Sequence, residues 1–236
     1  MQIKDKLYEG KAKIVYSTDS PGSVVFEFKD SATAFDGTKK GTILDKGKIN
    51  LKISAKIFRL LESKGIRTHF EKEMDANHMV VKKMNMIPIE AVVRNVAAGS
   101  LVKRLGFKEG QKMVEPIVEF YLKNDSLHDP LINDQHAIAL GIANPSDLAK
   151  IRELALKVNR ILGEFLSGKG LDLVDFKLEF GRFNGEILLG DEISPDSCRL
   201  WDKKTHEKMD KDRFRFDLGK VDETYAEVSK RICDDN

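Results

Sequence analysis

Apolar and polar residues alternate along most of this chain, and two long stretches of helical period interrupt the alternation. Within 171–181, Val174, Phe176, Leu178 and Phe180 fall on one face of a strand, while Asp175, Lys177 and Glu179 fall on the other. The same period-two pattern predicts strands over 3–16, broken by a turn at Glu9-Gly10, and over 23–28, 68–71, 79–84, 89–96, 113–123 and 186–193. Ile49, Ile53, Ile57, Leu60 and Leu61 recur at helical spacing across 46–64, ahead of Gly65. Leu148, Ile151, Leu154, Ala155, Val158, Ile161, Leu162 and Phe165 make a second stripe after Asn144-Pro145-Ser146-Asp147, with Pro145 at the first helical position. A short helical run follows Ser100, an amphipathic helix is expected from 222 to 233, and 31–42 reads as a polar loop. A boundary near Ile87 divides the chain into a sheet-rich lobe, residues 1–87, and a second lobe, residues 88–236.

The turn at Asn184-Gly185 decides which acid joins the charged row, because cross-strand partners share a face. A two-residue turn sets Glu192 opposite Lys177 and buries Asp191 among phenylalanines. A three-residue loop, with Gly185 in a left-handed bulge, sets Asp191 opposite Lys177 and spares a carboxylate from the apolar face. The second register is the one expected. Glu179 and Asp191 are then two oxygen donors suited to a hard cation such as magnesium. A row of this kind also fits a solvated outer face of paired charges, and the hairpin alone leaves both readings open.

Composition narrows the classes of function. The 236 residues can bury a substantial core. Forty Lys and Arg against 38 Asp and Glu leave a net charge of +2, which gives no reason to expect a nucleic-acid or membrane partner. Cys198 and Cys233 are far apart without metal-binding spacing, the start lacks a signal-peptide core, and no apolar run reaches membrane length, so a reduced cytoplasm is the expected location.

Several segments carry candidate chemistry. Lys11 and Lys13 leave the second strand on one face beside a glycine turn, as in hairpins that cover nucleotide phosphates; an ordinary surface turn has the same composition. Asp36 and Lys40 sit at the tip of the polar loop. Asn85-Met86-Ile87-Pro88 resembles an interlobe connection whose backbone meets an adenine edge, with Met84 and Met86 along its faces. Glu90, Val92, Arg94 and Val96 share one strand face, and Ala97-Ala98-Gly99 leads to Ser100 as helix N-cap, so Arg94 and Ser100 converge as a phosphate cradle. A polar turn over 124–130 holds Asp129. There is no P-loop, dinucleotide fingerprint, protein-kinase motif set or nucleophile elbow.

The segments IPIEAVVRNVAAGS (87–100) and VDFKLEFG (174–181) resemble the two signature stretches of the phosphoribosylaminoimidazole-succinocarboxamide synthases, or SAICAR synthetases. LYEGKAKIVY, AAGSLVKRLG, LKND with HDP, LLGDEISPDSCRLWD and KMDKDRFR follow that family in order, so the resemblance spans nearly the whole chain. It implies a two-lobed α+β fold related to ATP-grasp and kinase-like proteins, with antiparallel sheets, flanking helices and ATP in the interlobe cleft. It also implies an ATP-dependent ligase of purine synthesis that joins L-aspartate to the carboxylate of carboxyaminoimidazole ribonucleotide (CAIR). Magnesium as cofactor and a homodimer come with it.

Carried over by position, Lys11, Lys13, Val15, Lys82, Met84, Met86 and Lys123 are the expected ATP contacts. Glu179 and Asp191 are the magnesium ligands, and Lys177, Asp175 and Asp129 form the reacting centre. Arg94, Ser100 and Arg199 take the ribonucleotide phosphate, and Asp36 and Arg215 the aspartate. Cys198 stands where many members carry serine, and Lys39-Lys40 where an arginine often follows Asp-Gly. From the residues alone, a small-molecule kinase and an RNA-binding module are the alternatives; the near-zero net charge counts against the second.

Overall fold

A computed structural model describes residues 1–35 and 37–234. The chain begins with β1 (Ile3–Glu9), β2 (Lys13–Thr18) and β3 (Ser23–Phe28), then β4 (Ser31–Ala34) and β5 (Lys39–Thr42). Helix α1 (Lys46–Ser63) leads to β6 (Phe70–Glu73), β7 (His78–Lys82) and β8 (Asn85–Val96). Next come α2 (Ser100–Leu105), β9 (Lys112–Leu122), β10 (Leu131–Ile132), α3 (Asp134–Ala139) and α4 (Pro145–Gly168). The chain closes with β11 (Leu171–Phe183), β12 (Glu186–Gly190), β13 (Cys198–Asp202), α5 (Asp212–Arg215) and α6 (Val221–Cys233).

Two antiparallel sheets organise these elements, which makes the fold α+β as expected. The first has the order β1-β2-β3-β7-β6 and the second β10-β9-β8-β11-β12, with β13 also on β11. Strand β11 is the axis of the second sheet. It pairs with β8 along one edge, and its other edge is shared by β13 over its first half and β12 over its second. The sheets are tied where Thr68 bridges to Leu189 and the His69 N–H donates to the Leu189 carbonyl at 2.8 Å.

The helical stripes bury as their spacing requires. Helix α4 turns Leu148, Ile151, Leu154, Ala155, Val158 and Leu162 inward against β8, β9 and β11. It is started by Asn144, which accepts from the Asp147 N–H while Asp147 answers the Asn144 N–H, with Pro145 in the first turn. Helix α1 lies against β3 and β6 and is packed by α6. One continuous core joins Phe28, Phe58 and Met79 to Phe176, Leu178 and Phe180. Among the described residues no helix is long and apolar enough to cross a membrane.

Several expectations need correction. Residues 31–42 are not a plain loop: β4 and β5 form a two-stranded hairpin in which Thr33 pairs with Lys40, so Lys40 is a strand residue and not the tip. Asp36 lies outside the described residues. Ser100 is not the N-cap of α2. Gly99 holds that position with φ 54° and ψ −124°, and Ser100 begins the helix. At the start of α1, Lys46 is 1% exposed and paired with Asp196 at 2.8 Å. Residues 85–86 are part of β8, where Asn85 and Met86 pair with Arg182 and Gly181.

The register of the opening hairpin is also the reverse of that expected. Phe183 pairs with Glu186 and Glu179 with Gly190, which is a strict two-residue turn. Asn184 and Gly185 both have positive φ, 50° and 81°, the type I′ geometry that matches strand twist. Continued further, this register would turn Asp191 away from Lys177. The ladder ends at Gly190, however, and Asp191 takes a left-handed backbone with φ 59°, which breaks the alternation and lets both Asp191 and Glu192 reach the same cleft.

Candidate active site

A cleft of about 780 Å³ lies between the two sheets. The first sheet contributes Lys11, Lys13 and Val15 from the β1–β2 hairpin, with Phe26 behind them. The second contributes Glu90 and Arg94 of β8, and Asp175, Lys177 and Glu179 of β11. Lys123 and Asp129 come from the segment after β9, Asp191 from the end of β12, Arg199 from β13 and Arg215 from α5. Twelve of the sequence-derived site residues therefore meet in one place. Lys82, Met84, Met86 and Ser100 stand outside its lining: the Lys82 ammonium donates to the Thr68 carbonyl at 2.9 Å, and the Met84 and Met86 side chains lie over the bare backbone of Gly181.

The charged row on β11 is no solvated face. Asp175 and Glu179 are each 4% exposed, which is tolerable only because every carboxylate has a cationic partner. Glu179 stands directly opposite Glu90 across the β8–β11 pair, an arrangement that repels. The Lys177 ammonium resolves it by donating to Glu90 at 2.7 Å and to Glu179 at 2.9 Å, while Lys123 reaches both Glu179 oxygens at 2.5 Å. Lys13 bridges to Asp191 at 2.8 Å and Glu192 at 2.6 Å. Further along, Arg94 donates to Glu119, Asp175, Ser100 and Tyr121, and Arg199 donates to Asp175 and Asp212. The cleft thus has a lysine-and-acid end and an arginine end.

Comparison with known proteins decides what this cleft belongs to. The SAICAR synthetase family matches residues 6–232. The chain is 57% identical over 232 residues to the phosphoribosylaminoimidazole-succinocarboxamide synthase of Persephonella marina, covering 98% of each chain. The chain belongs to the SAICAR synthetase family. Solved structures agree: the phosphoribosylaminoimidazole-succinocarboxamide synthase from Ehrlichia chaffeensis superposes with a TM-score of 0.95 at 44% identity, over 98% of this chain and 100% of that one. A SAICAR synthetase solved in complex with ADP superposes with a TM-score of 0.93 at 55% identity, over 95% and 96%. This SAICAR synthetase family member is accordingly a ligase.

Electrostatics fix the protonation of the family's cleft residues here. Burial disfavours the Lys177 ammonium, yet Glu179 and Glu90 outweigh it and hold its pKa well above the ordinary value. Burial likewise opposes charge on Lys13, and Asp191 and Glu192 likewise win. Asp191 is held below the usual carboxylate range because Lys13, Lys177 and Lys123 more than offset its burial. Both lysines therefore remain cations and Asp191 an anion. Burial pushes the Cys198 thiol up to about 12, so the one cysteine in the cleft wall is a neutral thiol and a poor nucleophile.

Sequence reasoning missed Glu90, Glu192, Asp196 and Lys211 as cleft residues. For Glu90 the signal was available, since it alternates with Arg94 on one face of β8. Glu192 was lost with the register. Asp196 and Lys211 had no local signal, because a buried pairing with Lys46 across 150 residues brings Asp196 into place.

Proposed function

We propose that this ligase joins L-aspartate to the carboxylate of CAIR, 5-amino-1-(5-phosphoribosyl)imidazole-4-carboxylate, as a step of purine synthesis in the cytoplasm, with ATP converted to ADP and phosphate. The observation that carries the reading is the division of the cleft, with lysines and acids at one end and arginines at the other. Such a cleft suits two phosphorylated ligands that must react with each other. A carboxylate is a poor electrophile, so its oxygen attacks the γ-phosphorus of ATP and ADP departs. The aspartate amine then attacks the resulting acyl carbon and phosphate leaves. Positioning and charge neutralisation, rather than a protein nucleophile, drive both steps.

Lys11, Lys13 and Lys123 hold the nucleotide phosphates, with Val15 against the nucleoside and Lys82, Met84 and Met86 on the adenine side. Lys177, held as a cation by Glu179 and Glu90, neutralises the transferring phosphoryl group. Arg199, with Arg94 and Ser100, takes the ribonucleotide phosphate, Asp129 and Asp175 face the imidazole, and Arg215 with Asp36 takes the aspartate. Magnesium fits the donor chemistry: Glu179 and Asp191 are carboxylates lining the same cleft, and they would share the ion with substrate phosphates, as this cation prefers. When bound it draws charge from the phosphates as a Lewis acid. We also assign two lobes, 1–87 and 88–236, and a homodimer.

Purified protein given ATP, magnesium, CAIR and aspartate is expected to form ADP over many turnovers only when all four are present, and without aspartate to form no more than one ADP per site. ADP formation that continues without aspartate would overturn the ligase reading in favour of a kinase.

A further inference from the structure

Asp212 has no place in the functions assigned above, yet it touches two of the cleft's cations. One oxygen accepts from Arg215 Nη1 at 2.6 Å, and the other accepts from Arg199 Nε at 2.9 Å. Its side chain is 3% exposed, whereas Arg199 and Arg215 are 19% and 28% exposed and open to the cleft. The carboxylate is thus more deeply buried than the two arginines it holds, both of which line the cleft.

Its own position is locked. Asp212 begins α5, and its N–H donates at 2.7 Å to the buried carboxyl group of Asp210, whose second oxygen accepts from the Leu200 N–H at 2.9 Å. Asp210 therefore clamps α5 to β13 immediately beside Arg199. The remaining faces of Arg199 are fixed by Asp175, which Nη1 reaches at 2.9 Å, and by the backbone of Gly99, where a Cβ would stand 2.6 Å from Nη2. Planar guanidinium groups bind anions directionally, so whatever fixes the Nε edge also aims the outer nitrogens. A single carboxylate aims both.

We infer that Asp212 is a positioning residue that orients Arg199 and Arg215 together, and so serves the binding of both the ribonucleotide and aspartate without touching either. This rests on the assignment of Arg199 to the ribonucleotide phosphate and Arg215 to the aspartate carboxylate. It predicts a kinetic pattern that neither arginine alone produces.

The test compares Asp212→Asn, Arg199→Ala and Arg215→Ala, with steady-state kinetics in each substrate and ADP binding to the other end of the cleft as a measure of the intact fold. Asp212→Asn is expected to raise KM for CAIR and for aspartate, each by roughly tenfold, as loss of a charge-assisted hydrogen bond implies. Its kcat should fall less than threefold, and ADP affinity should be unchanged. Arg199→Ala should raise mainly the CAIR KM, and Arg215→Ala mainly the aspartate KM. In an Arg215→Ala background, adding Asp212→Asn should still raise the CAIR KM but leave the aspartate KM where it was.

If the arginine variants behave so but Asp212→Asn moves neither KM, or only one, the inference fails while the site assignment stands. If ADP binding is lost with Asp212→Asn, the residue is a folding element and the inference fails. If Arg199→Ala and Arg215→Ala spare their substrates, the assignment fails and the inference with it.

Discussion

At the scale of single residues, the cleft works by denying each buried charge an alternative partner. Glu179 is the clearest case, with Lys177 and Lys123 on its oxygens and Glu90 opposite. Glu179→Gln is expected to lower kcat by roughly tenfold to a hundredfold, with partial recovery at raised magnesium, read from initial rates across a magnesium titration. Gly99 is constrained differently. A side chain there would collide with the Arg199 guanidinium, and its φ of 54° with ψ −124° suits glycine alone. Gly99→Ala should displace Arg199 and raise the CAIR KM by about tenfold or more, with ADP binding intact. Both residues sit inside signature segments, and only their neighbours reveal what each one does.

At the scale of elements, the β11–β12 hairpin separates strand register from site geometry. The Asn-Gly dipeptide forms a type I′ turn, and spacing alone would then remove Asp191 from the row. What returns Asp191 to the cleft is its own left-handed backbone, held by the Lys13 ion pair across 178 residues. The turn and the acid are thus independent. Gly185→Ala, which forces a side chain into φ 81°, is expected to cost about 1–2 kcal/mol of stability, measured by urea denaturation, while KM for every substrate stays unchanged. A change in KM would show that the turn itself positions Asp191.

For the whole molecule, the buried carboxylates tie stability to pH in two opposite directions. Asp191 and Asp196 are held below the usual range, Asp196 by Lys211 and Lys46 against its burial. Their contribution is complete above the ordinary carboxylate value and is lost as pH falls through their lowered values. Asp210 runs the other way. Burial, with Asp212 beside it, raises it from 3.8 to about 7, so the folded chain keeps a proton that the unfolded chain releases. Stability from this group therefore falls as pH rises across that interval and is level above it. Asp210→Asn is expected to flatten the decline in urea midpoint between the ordinary carboxylate value and about 7, whatever it does to the midpoint itself.

The sequence by itself determined the strands and long helices, because period-two and period-3.6 burial are local consequences of backbone geometry. Through its signature segments it also pointed to the family, and it named twelve of the residues that line the cleft. The tertiary structure alone decided how those residues are paired. Lys13 with Asp191, Lys46 with Asp196, Arg199 with Asp212 and the interposition of Lys177 between Glu90 and Glu179 depend on strands and helices meeting from distant parts of the chain. The register at Asn184-Gly185 followed turn twist rather than the cost of burying one acid. That cost was removed at Asp191 by a positive φ and a lysine from the other sheet, neither of which leaves a mark in the local pattern.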